Sequence, residues 1–103
     1  MTNRFAPPET LAAPEADIYR RLQADYDVQD APGLVLLHQL CRSLQLAREA
    51  REQIDRDGLL MDGKAHPLCG VLRDAEKQAA ATMRQLNFDT EPLKAVGRPP
   101  MAA

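Results

Sequence analysis

DAPGLVLLHQLCRSLQLAREAREQIDRDG, the sequence of residues 30–58, has the pattern of one long helix. Asp30 is a good N-cap residue, and the proline two positions later suits an opening turn. No proline or glycine interrupts the chain between Leu34 and Asp57, and Gly58 supplies a residue at which a helix can end. We therefore predict a helix of about 25 residues, on the order of 40 Å long at about 1.5 Å per residue.

The segment before this helix predicts a shorter one. Pro14 suits a first helical turn, and the apolar residues Ile18, Leu22 and Tyr26 then follow at four-residue spacing. This spacing indicates an amphipathic helix over residues 14–26.

The segment after residue 58 predicts a turn and a third helix. Asp62-Gly63 is a strong signal for a two-residue β-hairpin turn between short strands. His66 can cap the next helix and Pro67 can start it. It is predicted to run to Leu86, where the asparagine that follows makes a C-terminal stop.

Small or apolar residues repeat with the same spacing in the two long helices. They are Leu36, Leu40, Ser43, Ala47, Ala50 and Ile54 in the second helix, and Leu68, Leu72, Ala75, Ala79, Thr82 and Leu86 in the third. Folded back antiparallel, the two sets pair in register from Ile54 with Leu68 to Leu36 with Leu86, as in a coiled coil. The sequence therefore predicts an all-α fold, a long antiparallel helical hairpin with a short N-terminal helix and a small β-turn connection.

A second apolar stripe on the second helix is not used by this hairpin. It consists of Leu34, Leu37, Cys41 and Leu44. Either the first helix or neighbouring copies of the protein must cover it. Because exposed apolar patches usually mark interfaces, and so short a chain buries a modest share of its surface, we predict that the stripe is an interface between copies of a homo-oligomer.

The composition limits the class of protein. The 103 residues fit one domain, predicted as a helical oligomerisation domain over 14–88 between a disordered N-terminal arm, 1–13, and a flexible C-terminal tail, 89–103. No run of about 18 apolar residues predicts a membrane span, and prolines interrupt the place of a secretory signal, so we expect a cytoplasmic protein. The net charge of −2 argues against a monomer that binds nucleic acid by bulk electrostatics.

Two His-x-x-Cys pairs, His38 with Cys41 and His66 with Cys69, offer ligand types that zinc accepts. In the predicted register the pairs lie roughly 18 Å apart along the hairpin, at about 1.5 Å per residue. One metal ion cannot bridge that distance, and neither can a disulfide. We therefore predict no metal site and two reduced cysteines.

Catalytic signatures are also missing from the sequence. The five glycines are scattered, so they form no phosphate-binding loop, and the only serine, Ser43, falls in the middle of a helix. The alternating arginines and carboxylates of residues 48–56 are typical of a solvated helix face with ion pairs three or four residues apart. We predict that the protein is not an enzyme and has no cofactor.

A recognisable order of features runs from residue 30 to residue 100. A long helix with an Arg- and Glu-rich second half ends at Ile54-x-x-x-Gly58, His66-Pro67 opens the next helix, and MRQLNF (83–88) and GRPP (97–100) follow. This order resembles the small subunits of tailed-phage terminases of the short helical-hairpin type. The resemblance implies a non-catalytic subunit that assembles into a ring, binds the viral genome, and recruits and regulates the large ATPase and nuclease subunit.

The partners that the resemblance implies are double-stranded DNA and the terminase large subunit. A closed ring repeats each basic residue around its axis, so a weak patch becomes a collar of positive charge. The candidate DNA contacts lie at both ends of the chain: Arg4, Arg20, Arg21, Lys94 and Arg98. Two other functions stay open, an oligomeric helical adaptor that never contacts DNA and a small prophage DNA-binding regulator that works as a dimer.

Overall fold

The computed structural model describes residues 5–87, and these residues form three helices and one small sheet. In chain order the elements are α1 (Ala13–Asp25), α2 (Ala31–Asp57), β1 (Leu60–Met61), β2 (Lys64–Ala65) and α3 (Leu68–Leu86). The prediction of a mainly helical protein is confirmed. The predicted tail over residues 89–103 lies outside the described residues.

The ends of α2 follow the local signals in its sequence. The Asp30 side chain accepts a hydrogen bond from the backbone N–H of Gly33 at 3.1 Å, which satisfies one of the free donors of the first turn. At the other end, Gly58 has a φ of 92° and donates its backbone N–H to the Ile54 carbonyl at 2.7 Å. Glycine tolerates this φ because it has no Cβ. Both predicted ends of the long helix are confirmed.

A tight β-hairpin joins α2 to α3. Leu60 pairs with Ala65 and Met61 pairs with Lys64 in antiparallel register. The two turn residues, Asp62 and Gly63, both have positive φ, 52° and 77°, as the predicted two-residue turn requires.

The third helix also ends where the sequence predicts. Asn87 adopts the left-handed conformation, with a φ of 62°, and its backbone N–H bonds to the Arg84 carbonyl at 3.1 Å. Asparagine is one of the few residues that enters this region readily.

The long helix α2 packs against both other helices. Its buried residues include four of the predicted pairing positions, and those of α3 include three: Leu40, Ala47, Ala50 and Ile54 on α2, and Ala75, Ala79 and Thr82 on α3. Near the end of α2, Arg51 forms an ion pair with Glu76 of α3. The residue-by-residue pairing of the two helices stays a prediction.

The second apolar stripe is packed within a single chain, which corrects the predicted interface between copies for Leu37 and Cys41, while Leu34 and Leu44 are half-buried. Leu37 and Cys41 are 0% exposed within a single chain. The core cluster around them contains Tyr19 of α1. The half-buried α1 residues Ile18 and Leu22, and Tyr26 just after the helix, pack against the cluster together with Leu34 and Leu44. The first helix therefore covers the stripe.

The segment before α1 is also more ordered than predicted. Leu11 is buried in the core cluster and donates its backbone N–H to the Pro8 carbonyl at 3.1 Å. The backbone N–H of Ala12 bonds to the Gln45 side chain of α2 at 2.8 Å. The prediction of a disordered arm over residues 1–13 is therefore wrong for its last residues, because Leu11 adds an apolar side chain to the core.

Candidate functional site

The β-hairpin presents three large apolar side chains to solvent. Leu59 and Leu60 are each 66% exposed and Met61 is 42% exposed. We call these three residues the apolar knob. Both strands of the hairpin have only two residues and are exposed along their whole length, so the sheet buries none of them.

A groove lies between α2 and α3 at the same end of the molecule. Its volume is about 430 Å³, and its apolar lining comes from Leu46 and Ala50 of α2 and from Leu68 and Val71 of α3. Glu49, Glu52, Gln53 and Arg56 complete the lining. Since Arg56 is two residues before Gly58 and Leu68 is the first residue of α3, the groove lies next to the hairpin.

A buried histidine fixes the base of the hairpin. His66 is 5% exposed, and its Nδ1 accepts a hydrogen bond from the backbone N–H of Leu68 at 3.0 Å. Its Nε2 therefore carries the proton and donates to Asp57 Oδ2 at 2.8 Å. This hydrogen bond, followed by one from Gln53, lowers the pKa of Asp57. The N-cap of α3 is Pro67 and not the predicted His66, because the helix begins one residue later, at Leu68. The His66 ring still bonds the first backbone N–H of α3, and so it links the end of α2 to the start of α3.

A buried ion pair joins α1 to α2. Arg48 donates from Nε to Glu15 Oε2 at 2.8 Å and from Nη2 to Glu15 Oε1 at 2.9 Å, while Nη1 reaches the exposed Glu52 at 3.1 Å. The bond to Glu15, then that to Glu52, raises the pKa of Arg48. Arg48 to Glu52 is one of the predicted ion pairs four residues apart, but its pairing with Glu15, 33 residues away, was not predicted from the sequence.

The two cysteines are free and differ in burial. Cys41 is fully buried and Cys69 is partly exposed. Burial, and to a lesser degree the charge of Glu15, raises the pKa of Cys41 to about 12. A thiol in this state is a poor nucleophile at neutral pH. Over residues 5–87, no group of three or more His, Cys, Asp or Glu side chains is arranged to hold a metal ion.

Two of the five predicted DNA contacts fall within the described residues. Arg20 and Arg21 are both exposed on α1, and Arg20 forms an ion pair with Asp17 at 2.9 Å. Both partners of this pair are well exposed, so it holds the arginine only weakly. Arg4, Lys94 and Arg98 lie outside the described residues.

The sequence reasoning missed the apolar knob as a surface. The hairpin signal at Asp62-Gly63 predicts short strands beside the turn, and it does not predict that Leu59, Leu60 and Met61 face solvent. The signal was present, because three consecutive apolar residues in a strand too short to alternate cannot all face a core.

In comparisons with known proteins, no family model, no curated protein and no solved structure matches this chain. The resemblance to terminase small subunits thus stays a prediction that rests on the order of motifs. None of the helices in residues 5–87 has the length and apolar character needed to cross a membrane.

Proposed function

We propose that this chain is the non-catalytic small subunit of a phage DNA-packaging terminase. In this proposal the helices α2 and α3 form an antiparallel hairpin, and copies of it assemble into a ring in the cytoplasm of a bacterial host. The ring binds double-stranded viral DNA and recruits or regulates the large ATPase and nuclease subunit. The observation that carries the proposal is the apolar knob, a surface that a single chain leaves in water beside an apolar groove.

Energetics favour a second copy as the occupant of the groove. Full burial of one leucine side chain is worth roughly 1.5–3 kcal/mol, and the knob exposes most of two leucines. The lining of the groove by Leu46, Leu68 and Val71 offers a matching apolar surface.

A contact from knob to groove also leads to a ring. Each copy would present one knob and one groove, so the contact can continue from copy to copy and close after a full rotation. A ring multiplies every exposed cation by the number of copies. Because a ring also repeats every carboxylate, DNA binding by a chain of net charge −2 needs a local basic patch on the face that meets the DNA.

The interface is tested by the mass of the assembly in solution. We expect the wild-type chain to assemble and Leu60→Asp to remain near the monomer mass of 11.4 kDa with unchanged helicity, measured by light scattering and circular dichroism. Val35→Asp is the matched control, because Val35 is 56% exposed but contributes neither to the knob nor to the groove lining. A wild-type monomer, or equal masses for Leu60→Asp and wild type, would contradict the proposed interface.

The function of the assembly is tested separately, with a mixed-sequence DNA duplex and with the large subunit. We expect the wild-type assembly to bind the duplex with an affinity that falls steeply with salt, and to change the ATPase or nuclease rate of its partner. Assembly without duplex binding at low salt would favour the adaptor. An assembly that stops at two or four copies would favour the DNA-binding regulator.

A further inference from the structure

Three basic side chains form a straight row along the outer face of α3. Arg73, Lys77 and Arg84 are all exposed. Their spacings of four and seven residues place them within an arc of about 40° on the helix, and the row is about 16 Å long at about 1.5 Å per residue. The buried residues of α3, Ala75, Ala79 and Thr82, lie on the opposite side.

The row is free to bind an external anion. Among the described residues, none of these three cations forms an ion pair or a side-chain hydrogen bond, whereas Arg20, Arg48 and Arg51 each hold a carboxylate. Glu76, which lies beside the row in sequence, is itself paired with Arg51 of α2.

The side chain between the cations is small, so the helix surface does not protrude there. Ala80 falls on the same strip of α3, between Lys77 and Arg84, and is exposed. A methyl group at this point lets a flat or convex ligand approach the helix closely. Because the strip has no large apolar side chain, it lacks the apolar core that protein interfaces usually have.

We propose that Arg73, Lys77 and Arg84 bind phosphate groups of the double-stranded DNA backbone. The inference rests on the proposed function and places its DNA contact on α3, away from the chain ends that the sequence suggested. A linear row of positive charge suits a linear polyanion that carries one charge per about 1.7 Å of its axis. Contacts of this kind position the protein on DNA without reading its sequence.

The test uses the full chain and a mixed-sequence duplex over a series of salt concentrations. In Arg73→Gln/Lys77→Gln/Arg84→Gln we expect the slope of log affinity against log salt to become shallower by about 2.7 for each bound copy, at about 0.9 per phosphate. The affinity at 0.1 M salt should fall on the order of 100-fold. Glutamine keeps the helix propensity, so helicity and assembly mass should match those of the wild type.

The matched control for Lys77→Gln is Arg42→Gln, which removes one positive charge from an exposed position of α2. It should retain a slope close to that of the wild type, and Arg73→Lys/Arg84→Lys should bind like the wild type because it keeps the charge. If the α3 triple variant fails to fold, Lys77→Gln alone should still reduce the slope by about 0.9.

Equal slopes for the α3 variants and the wild type would overturn this inference and leave the proposed function intact. A shallower slope in Arg20→Gln/Arg21→Gln but not in the α3 variants would overturn it in favour of Arg20 and Arg21. A wild-type assembly that binds no duplex at low salt would overturn both the inference and the DNA-binding part of the proposed function.

Discussion

Glu15 is only 2% exposed, and its carboxylate pairs with Arg48 of α2. Arg48 holds both carboxylate oxygens and is itself 31% exposed. Removal of the arginine alone leaves the buried carboxylate without a compensating charge. Removal of both members of the pair also removes the cost of burying that charge. The pair is therefore the main polar link between α1 and α2.

We expect Arg48→Met to lower the free energy of unfolding by about 3–5 kcal/mol in urea titrations. Glu15→Met/Arg48→Met should recover most of that loss, because no unpaired charge is then buried. Glu52→Gln is the control, since it removes only the exposed partner of Arg48 and should change stability by about 0–1 kcal/mol. Wild-type stability in Arg48→Met would contradict this account of the pair.

Asp57 gives the protein a component of stability that acid removes. The hydrogen bond from His66 lowers the pKa of Asp57 below its value in the unfolded chain. That unfolded value is about 4. Such a carboxyl stabilises the fold above its unfolded pKa, and the contribution is lost as pH falls through the lower folded pKa. We expect the stability difference between wild type and Asp57→Asn to be largest above about pH 5 and to shrink below about pH 4.

Urea titrations across this pH range measure the effect. Asp55→Asn is the control, because it removes an exposed carboxylate from the same turn of α2 without changing the bond to His66. The same pH dependence in both variants would show that the hydrogen bond to His66 is not its source.

At the scale of the element, two glycines in first helical turns have opposite surroundings. A Cβ at Gly33 would lie 2.8 Å from Asp30 Oδ1 and 2.9 Å from Val28 Cγ1, whereas a Cβ at Gly70 would meet nothing within 4 Å. Gly33 therefore allows the Asp30 cap and the buried Val28 to approach α2, and Gly70 has no such role.

We expect Gly33→Ala to destabilise the protein despite the better helix propensity of alanine, because the cap or Val28 must move. Gly70→Ala should instead stabilise it by roughly 0.4–1 kcal/mol, through a smaller entropy of the unfolded chain. Thermal unfolding of the two variants measures both effects. Stabilisation by Gly33→Ala would mean that the Asp30 cap is not held as closely as the structure shows.

The elements themselves were predictable because their signals are local. Asp30, Gly58, Asp62-Gly63 and Asn87 each act through their own backbone conformation or that of a near neighbour, so the sequence shows them directly. The cover of Leu37 was not predictable, because an apolar spacing shows that a face is buried and not which element buries it. The partner of Glu15 was missed for the same reason, since the pairing depends on tertiary packing.

The apolar knob and the groove were also only partly predictable from the sequence. The knob is exposed because the strands are short, and the sequence only suggests their length. The groove forms where α2 packs on α3, and the sequence does not show that packing. The row of Arg73, Lys77 and Arg84 could have been found from helical spacing alone. The spacing does not show, however, that these cations lack an ion-pair partner within residues 5–87, because that depends on the packing of α3.

At the scale of the whole molecule, the knob and the groove make a prediction about mixtures. Leu60→Asp damages the knob and keeps the groove, while Leu46→Asp damages the groove and keeps the knob. Each variant alone should stay monomeric, and an equal mixture should form dimers because one intact contact remains. Sedimentation of the two variants and of their mixture measures this, and a mixture that stays monomeric would contradict a contact between knob and groove.

The copy number of the wild-type assembly tests the proposed function most directly. The account predicts that native mass spectrometry of the full chain shows one closed assembly of more than four copies of the 11.4 kDa chain. Such an assembly repeats the α3 row around one axis, as a ring that holds DNA requires. A protein that remains a monomer at all concentrations, or that stops at two to four copies, would contradict the proposed ring.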